Sequence, residues 1–369
     1  MTDLRYWVGF NIVQGIGPAK TRALLDHFGD LEAAWHASAD ALRAAGLDRR
    51  ALANLLETRR TLDLEAEMAR LERAGLRLIT WESPDYPPLL AEIPDPPPLL
   101  YVKGELRPED RWALAVVGTR RATAYGRQVT ETLVGELARN RITIVSGLAR
   151  GIDRHAHQAA LAAGGRTIAV LGHGLDQVYP PEHRRLAAQI VEAGALISEY
   201  PLGTRPEAGN FPPRNRIISG LSLGVLVVEA GLRSGALITA DYAAEQGRDV
   251  FAVPGNITAR SSRGTNRLIQ DGAKMVLEAR DILEELNMTM VAQHVEVQMA
   301  LPENETEARL LSHLSMEPLH VDEIARDLAL PIAEVSSTLA LMELKGMVRQ
   351  VGGMHYVLAR ESGIPYMVD

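Results

Sequence analysis

Through the middle of the chain, short apolar runs at 113–117, 142–145, 167–171, 195–198, 225–228 and 250–253 each end at a glycine, a proline or a polar residue. Between them lie stretches of helical character at 125–139, 153–163, 182–193 and 238–246, with Gly164-Gly165, Gly194 and Gly247 where a helix stops. Strands that are apolar throughout are buried on both faces, and strands that alternate with helices pair in parallel. The pattern predicts an α/β domain, a parallel sheet covered by helices. Ligands of such sheets settle in the crevice beyond the carboxyl ends of the strands, so the loops at those ends should share one site.

Those loops read Gly118-Thr119-Arg120-Arg121, Ser146-Gly-Leu-Ala-Arg150-Gly151-Ile-Asp153, Gly172-His-Gly-Leu-Asp176 and Gly231-Leu-Arg233-Ser234-Gly235. None has the spacing of a dinucleotide fingerprint or a Walker A loop, which argues against nicotinamide and P-loop NTPase chemistry. One glycine after a strand often serves only a tight turn. Four such loops at one end, with Arg120, Arg150 and Arg233 among them, point to an anion site. The segment from Phe211 to Ala240 concentrates the signal: Arg214-Asn215-Arg216, an apolar strand at 223–229, then the glycine loop that opens a helix. Guanidinium forks bind phosphate bidentately, glycines let backbone N–H groups approach an anion, and a helix N-terminus adds its dipole. The chemistry expected is holding phosphate, not cutting it.

With 369 residues and 46% hydrophobic content, the chain can bury two or three cores. It has no cysteine, which excludes disulfides, thiol nucleophiles and cysteine-held metals. No apolar run approaches a membrane span and the start lacks a leader-like core, so a cytoplasmic protein without membrane contact is expected. The net charge of −8 hides three unlike segments: residues 1–110 carry 13 basic against 18 acidic side chains, 111–275 carry 20 against 13, and 276–369 carry 6 against 16. Only Lys274 among the twenty cations of the middle segment is a lysine. An arginine-dominated positive segment suits phosphate and planar contacts, although GC-rich codon usage yields the same bias.

Residues 1–75 read as a small helical domain, in which Gly15-Ile-Gly-Pro-Ala-Lys20 looks like a helix-hairpin-helix turn and Ala45-Gly46-Leu47 like a degenerate copy. Residues 76–286 hold the sheet domain and 287–304 a linker. Helical segments at 305–315, 321–328 and 332–345 and a hairpin turning at Gly352-Gly353 then spell a winged helix over 305–369. Its third helix offers Glu334, Ser336, Ser337 and Thr338 where a groove reader presents arginine, asparagine or glutamine. Partner docking is expected there.

The sheet segment resembles the DprA/Smf family, the DNA-processing protein A of natural transformation. The likeness lies at Val117-Gly118-Thr119-Arg120, at Ser146 to Asp153 with His157 downstream, at TIAVLGHGLDQVYP (167–180), NFPPRNRIISGL (210–221), 227–240, VFAVPG (250–255) and GTNRLIQDGA (264–273). The proline-rich approach at Tyr86 and Asp95 is also similar. The resemblance implies an extended Rossmann-like domain between an N-terminal helical module of sterile-alpha-motif type and a C-terminal winged helix. It implies a homodimer that binds single-stranded DNA, protects incoming strands and helps load the RecA recombinase in homologous recombination, with no turnover and no cofactor. Carried over by motif, the contacts are Gly118, Thr119 and Arg120, then Ser146, Gly147, Gly151 and Asp153, then Arg214, Asn215 and Arg216, then Ser234 and Gly235. Thr119 stands for a serine and keeps its hydroxyl; His183 stands where asparagine is usual, and Arg184 matches the family's basic residue only approximately. The run around Leu268, Ile269 and Met275 is a dimer-surface candidate by the same resemblance.

Sequence-tolerant strand binding needs a positive groove and flat groups for bases. Tyr125, Tyr179, Phe211 and Tyr242 are the aromatics near the loops, and Phe211 beside Arg214 is the best stacking candidate, supplemented by arginine planes. Two other readings stand beside this one. The fold is distantly similar to nucleotide phosphoribohydrolases of the lysine-decarboxylase-like group, with Arg214 or Arg216 and Glu229 as the nucleotide-serving pair, although Ala-Gly-Leu-Arg-Ser-Gly follows Glu229 where that group has Pro-Gly-Gly-x-Gly-Thr. A transcription regulator rests on the winged helix alone. No metal is expected, since His155 and His157 point to different sides of a helix and read as solvated or capping. Replacing Arg120 or Arg214 with alanine is expected to weaken strand binding and flatten its salt dependence while leaving the melt nearly unchanged.

Overall fold

The structure is a computed structural model that describes residues 3–286, 304–315, 319–328, 330–344, 348–350 and 353–358. The chain divides into two compact units, Met1–Met288 and Thr289–Asp369. The first contains one nine-stranded sheet: β1 Arg77–Thr80, β2 Leu99–Gly104, β3 Ala113–Val117, β4 Thr143–Ser146, β5 Thr167–Leu171, β6 Ala195–Ser198, β7 Gly224–Val227, β8 Asp249–Ala252 and β9 Lys274–Met275. Their spatial order is β1-β2-β6-β5-β4-β3-β7-β8-β9. From β6 across to β9 all pairs are parallel, and β2 and β1 add an antiparallel flank. Three of the six strands read from apolarity end where expected; β4, β7 and β8 are each displaced by one residue. The hydrogen-bond ladder, not the apolar run, sets a strand's ends.

Burial explains the unbroken apolarity. On β5, Ile168 and Val170 enter one core with Val102, Ile197, Ile217 and Val225, while Ala169 and Leu171 enter the other with Tyr101 and Leu196. Side chains alternate across a strand, so a strand covered on both faces is apolar at every position. The six N-terminal helices, from Leu4–Ile12 to Leu64–Arg73, close the second core: Trp7, Phe10, Leu24 and Leu55 share it with Leu99 and Leu171. Asp30, Ser38, Asp48 and Asp63 start four of these helices by accepting a backbone N–H of the first turn.

In the second unit, helices Glu305–His313, Val321–Asp327 and Ile332–Leu344 and strands β10 Leu319–His320, β11 Val348–Gln350 and β12 His355–Leu358 surround Leu310, Ile324, Val335, Leu339 and Tyr356. The sheet order is β10-β12-β11. Residues 287–303 of the expected linker and Gly352 of the expected wing turn lie outside the described residues. Among the described residues no helix is long and apolar enough to cross a membrane, and no cluster of acidic and histidine side chains is placed to hold a metal.

One histidine departs from expectation. His155 faces Glu131 at 3.7 Å, whereas His157 is fully buried, with Nδ1 2.7 Å from Thr167 Oγ1. Helix Ile152–Ala162 packs that side against β4 and β5, so His157 is a core residue and not a solvated one.

Candidate functional site

After β6 the chain crosses back over β5, β4 and β3 to reach β7, so the strand order reverses between β3 and β7. A crevice opens at such a reversal. The loop after β3 is tied to the one after β7 by Thr119 N donating to Glu229 O at 2.7 Å. Gly151, with φ +77°, lets the loop after β4 pass beneath it, since a Cβ there would lie 2.1 Å from Thr119 O. Helix Phe211–Gly220 begins with Pro212 and Pro213, which suit a first turn whose N–H groups have no helical partner. It packs against helix Gly235–Glu245, capped by Ser234 Oγ accepting from Ala236 N.

These pieces enclose a cleft of about 740 Å³. Phe211 is its centre. The guanidinium carbons of Arg120 and Arg214 lie 5.6 and 5.8 Å from the Phe211 ring centroid, and the Tyr179 ring lies 6.0 Å away. Arg120 is exposed, while Arg214 is only 5% exposed and donates from Nη1 to the carbonyls of Gly147 (3.1 Å) and Val170, and from Nε to Asn215 Oδ1 (3.3 Å). Burial pushes the Arg214 guanidinium down to about 10, which leaves it a cation at neutral pH.

Asp153 faces it across the cleft floor. Its Oδ2 accepts from the amides of Gly147 (3.2 Å) and Ala149 (3.4 Å). Burial pushes the carboxyl up, opposed by the Arg214 charge and by those two amides. Leu148, between them, has φ +55°, and the left-handed kink turns both amides toward one point. Such a nest binds anions. Here it holds the chain's own carboxylate, so the amides of Gly147 and Ala149 are taken by Asp153 and not free for a phosphate.

Of the expected site residues, Gly118, Thr119, Arg120, Asp153, Phe211, Arg214, Asn215, Ser234 and Gly235 line this one cleft. Five stand outside it. Ser146 is buried and donates from Oγ to Val116 O at 2.6 Å. Gly147 lies behind Arg214, where a Cβ would come within 2.7 Å of Nη2. Gly151 is the turn already described, and Arg184 opens the helix Arg184–Ala193 with its side chain in solvent. Arg216 is buried, its two terminal nitrogens on the Glu199 carboxylate at 2.7 and 2.8 Å. Residues two apart on a helix point about 200° apart. The Arg-Asn-Arg triplet therefore splits, and the expectation that both arginines reach a phosphate is corrected. The expected harmlessness of Arg214→Ala to the melt is corrected too, because the side chain is built into the floor.

The cleft also contains Arg233, named above for its loop, and Tyr179, Arg121, Pro206 and Ala208, which were not among the contacts expected from the motifs. Tyr179, 39% exposed, had a signal in its aromatic type beside a strand-end loop, and the two arginines in theirs. Pro206 and Ala208 carry no chemistry that would have marked them. Glu229 is buried, and its Oε2 accepts from Thr123 N at 2.9 Å, at the start of helix Ala124–Arg139. With Arg216 on Glu199 and Arg214 on backbone carbonyls, the arginine–glutamate pair of a phosphoribohydrolase is not assembled.

A family profile described as DNA recombination-mediator protein A matches residues 77–287, and one described as the DprA winged helix domain matches 297–354. Protein Smf of Synechocystis sp. is 37% identical over 392 residues, spanning 96% of this chain and 98% of its own. Protein Smf of Escherichia coli is 43% identical over 332 residues, 88% of each chain. Among solved structures, DNA processing protein A from Streptococcus pneumoniae aligns with a TM-score of 0.69 at 38% identity, over 77% of this chain and 99% of that one. DNA processing protein A from Helicobacter pylori, described for its single-stranded DNA binding mode, aligns with a TM-score of 0.52 at 33% identity, over 58% of this chain and 97% of that one. The chain belongs to the DNA recombination-mediator protein A, or DprA/Smf, family.

Proposed function

We propose that the cleft retains single-stranded DNA without cleaving it. The observation that carries this reading is the cluster at the strand-order reversal, two guanidiniums and two aromatic rings within one open cleft. Phosphates meet Arg120, Arg121, Asn215 and the N-terminus of helix Gly235–Glu245, and bases stack on Tyr179 and Phe211. The H. pylori relative's single-stranded DNA binding supports the choice of ligand. Asp153, held by two amides, serves here as a fixed counter-charge to Arg214 and not as a general base. The strand is passed to a RecA-type recombinase in the cytoplasm, by a homodimer, without turnover. Residues 1–75 act as a helical support built onto the binding domain at 76–286, with which they share a core, and residues 305–369, joined to it in the chain by residues 287–304, act as an accessory module.

The test is a competition. A labelled single strand bound to the full chain should be displaced by unlabelled single strand of any sequence, and far less by duplex or by nucleotides. Displacement by one duplex sequence above others would favour a transcription regulator. Displacement by a nucleoside monophosphate, with release of its free base, would favour the phosphoribohydrolase reading.

A further inference from the structure

Glu199 and Arg216 do not line the cleft, yet they sit on the far side of the helix that supplies Phe211, Arg214 and Asn215. We propose that this pair is a strut that sets the rotation of helix Phe211–Gly220, so that Glu199 and Arg216 are positioning residues that touch no DNA. The inference rests on the strand-binding reading and deepens it.

The helix has ten residues and two prolines in its first turn. A helix that short takes its stability and orientation from tertiary contacts. Arg216 supplies several: both terminal nitrogens on Glu199, Nε on Asp95 O at 2.9 Å, and its own carbonyl accepting from Gln246 Nε2 at 3.0 Å. The residue after Glu199 holds the helix start, with Tyr200 Oη donating to Asn210 O at 3.3 Å. Glu199 and Tyr200 directly follow β6, so the grip ties the helix to the end of the sheet itself. Each residue of an α-helix advances the rotation by about 100°, so a small loss of phase would turn Arg214 and Asn215 off the cleft. Glu199 is anchored in turn by Asn11 Nδ2 donating to its backbone oxygen at 3.2 Å. Glu199, Tyr200 and Asn11 line a separate cavity of about 140 Å³.

The experiment measures binding of a labelled deoxythymidine oligonucleotide to the full chain by anisotropy across a salt series, with a thermal melt of each variant. Removing an acid from a protein that binds a polyanion raises affinity by simple electrostatics. The strut requires the opposite sign: Glu199→Gln should bind on the order of ten-fold more weakly, through lost preorganisation, with an unchanged salt slope. Arg216→Lys should also weaken binding, because lysine keeps the charge but cannot fork the carboxylate. Should either single variant fail to fold, Glu199→Met/Arg216→Met replaces the buried arginine and its partly buried partner with apolar groups, an exchange that is often neutral for stability. It should melt like the wild type and still bind weakly. Wild-type affinity in the folded double variant, or affinity at or above wild type in Glu199→Gln, overturns the strut. A wild-type chain that fails to hold the oligonucleotide, or an Arg120→Ala variant equal to it, instead removes the strand-binding reading on which the strut depends.

Discussion

Arg120 and Arg214 stack on the same ring but should fail in different ways when cut to alanine. Arg214 is buried, donates to two backbone carbonyls and offsets the charge of Asp153. Hydrogen bonds from a cation contribute about 1.5–3 kcal/mol each, and stranding a buried charge costs about 3–5 kcal/mol. These overlap, so Arg214→Ala should destabilise the first unit by about 3–5 kcal/mol. In a domain of this size each kcal/mol moves the melt by about 2–3 °C, which makes the expected drop roughly 6–15 °C. Arg120 is exposed and has no such role, so Arg120→Ala should melt within about a degree of the wild type. Its effect belongs to binding: each phosphate contact on a single strand contributes about 0.7 to the slope of log affinity against log salt, or about five-fold at 0.1 M salt. Calorimetry and anisotropy across a salt series read both. Arg214→Ala melting like the wild type, or Arg120→Ala keeping the full salt slope, would refute the division of labour between a structural and a contacting guanidinium.

Phe211→Ala should lose about 1–3 kcal/mol of strand affinity with the salt slope unchanged, since stacking releases no counterion; anisotropy at two salt concentrations separates it from Arg120→Ala. Gly151→Ala places a methyl against Thr119 O in left-handed backbone and should cost about 3 kcal/mol or more, read by urea unfolding. His157, held near pKa 3 by burial against an ordinary 6.5, is protonated first in the unfolded chain. The stability it permits is complete above about pH 6.5 and is lost as pH falls toward 3, reaching about 5 kcal/mol. Urea midpoints between pH 7.5 and 4.5 should therefore fall more steeply for the wild type than for His157→Gln.

The parallel strands and the glycine loops at their carboxyl ends were legible because both signals are local: an apolar run bounded by a turn residue, and a glycine where the backbone must bend. β1, β2 and β9 were not legible: β1 is a four-residue strand just after a helix, β2 follows directly on a run of prolines, and β9 is only two residues long. The helix carrying Arg214 was not legible for a related reason. Pro212 and Pro213 read as loop residues although they are compatible with a helix's first turn. Unrecognised as a helix, the triplet seemed to offer both arginines to one ligand.

The amino-acid order alone determined the α/β class, the edge of the sheet where the site lies and the arginine-rich charge of that edge, because periodicity, glycine placement and composition need no knowledge of distant partners. Which side chains face the cleft was decided only by the tertiary structure. Asp153 fills the nest of its own loop, Arg214 is seated on Gly147 and Val170, and Arg216 is claimed by Glu199. The arginine seats join residues far apart in the chain, and all of these contacts depend on the angle at which short elements pack, a quantity that no local pattern encodes.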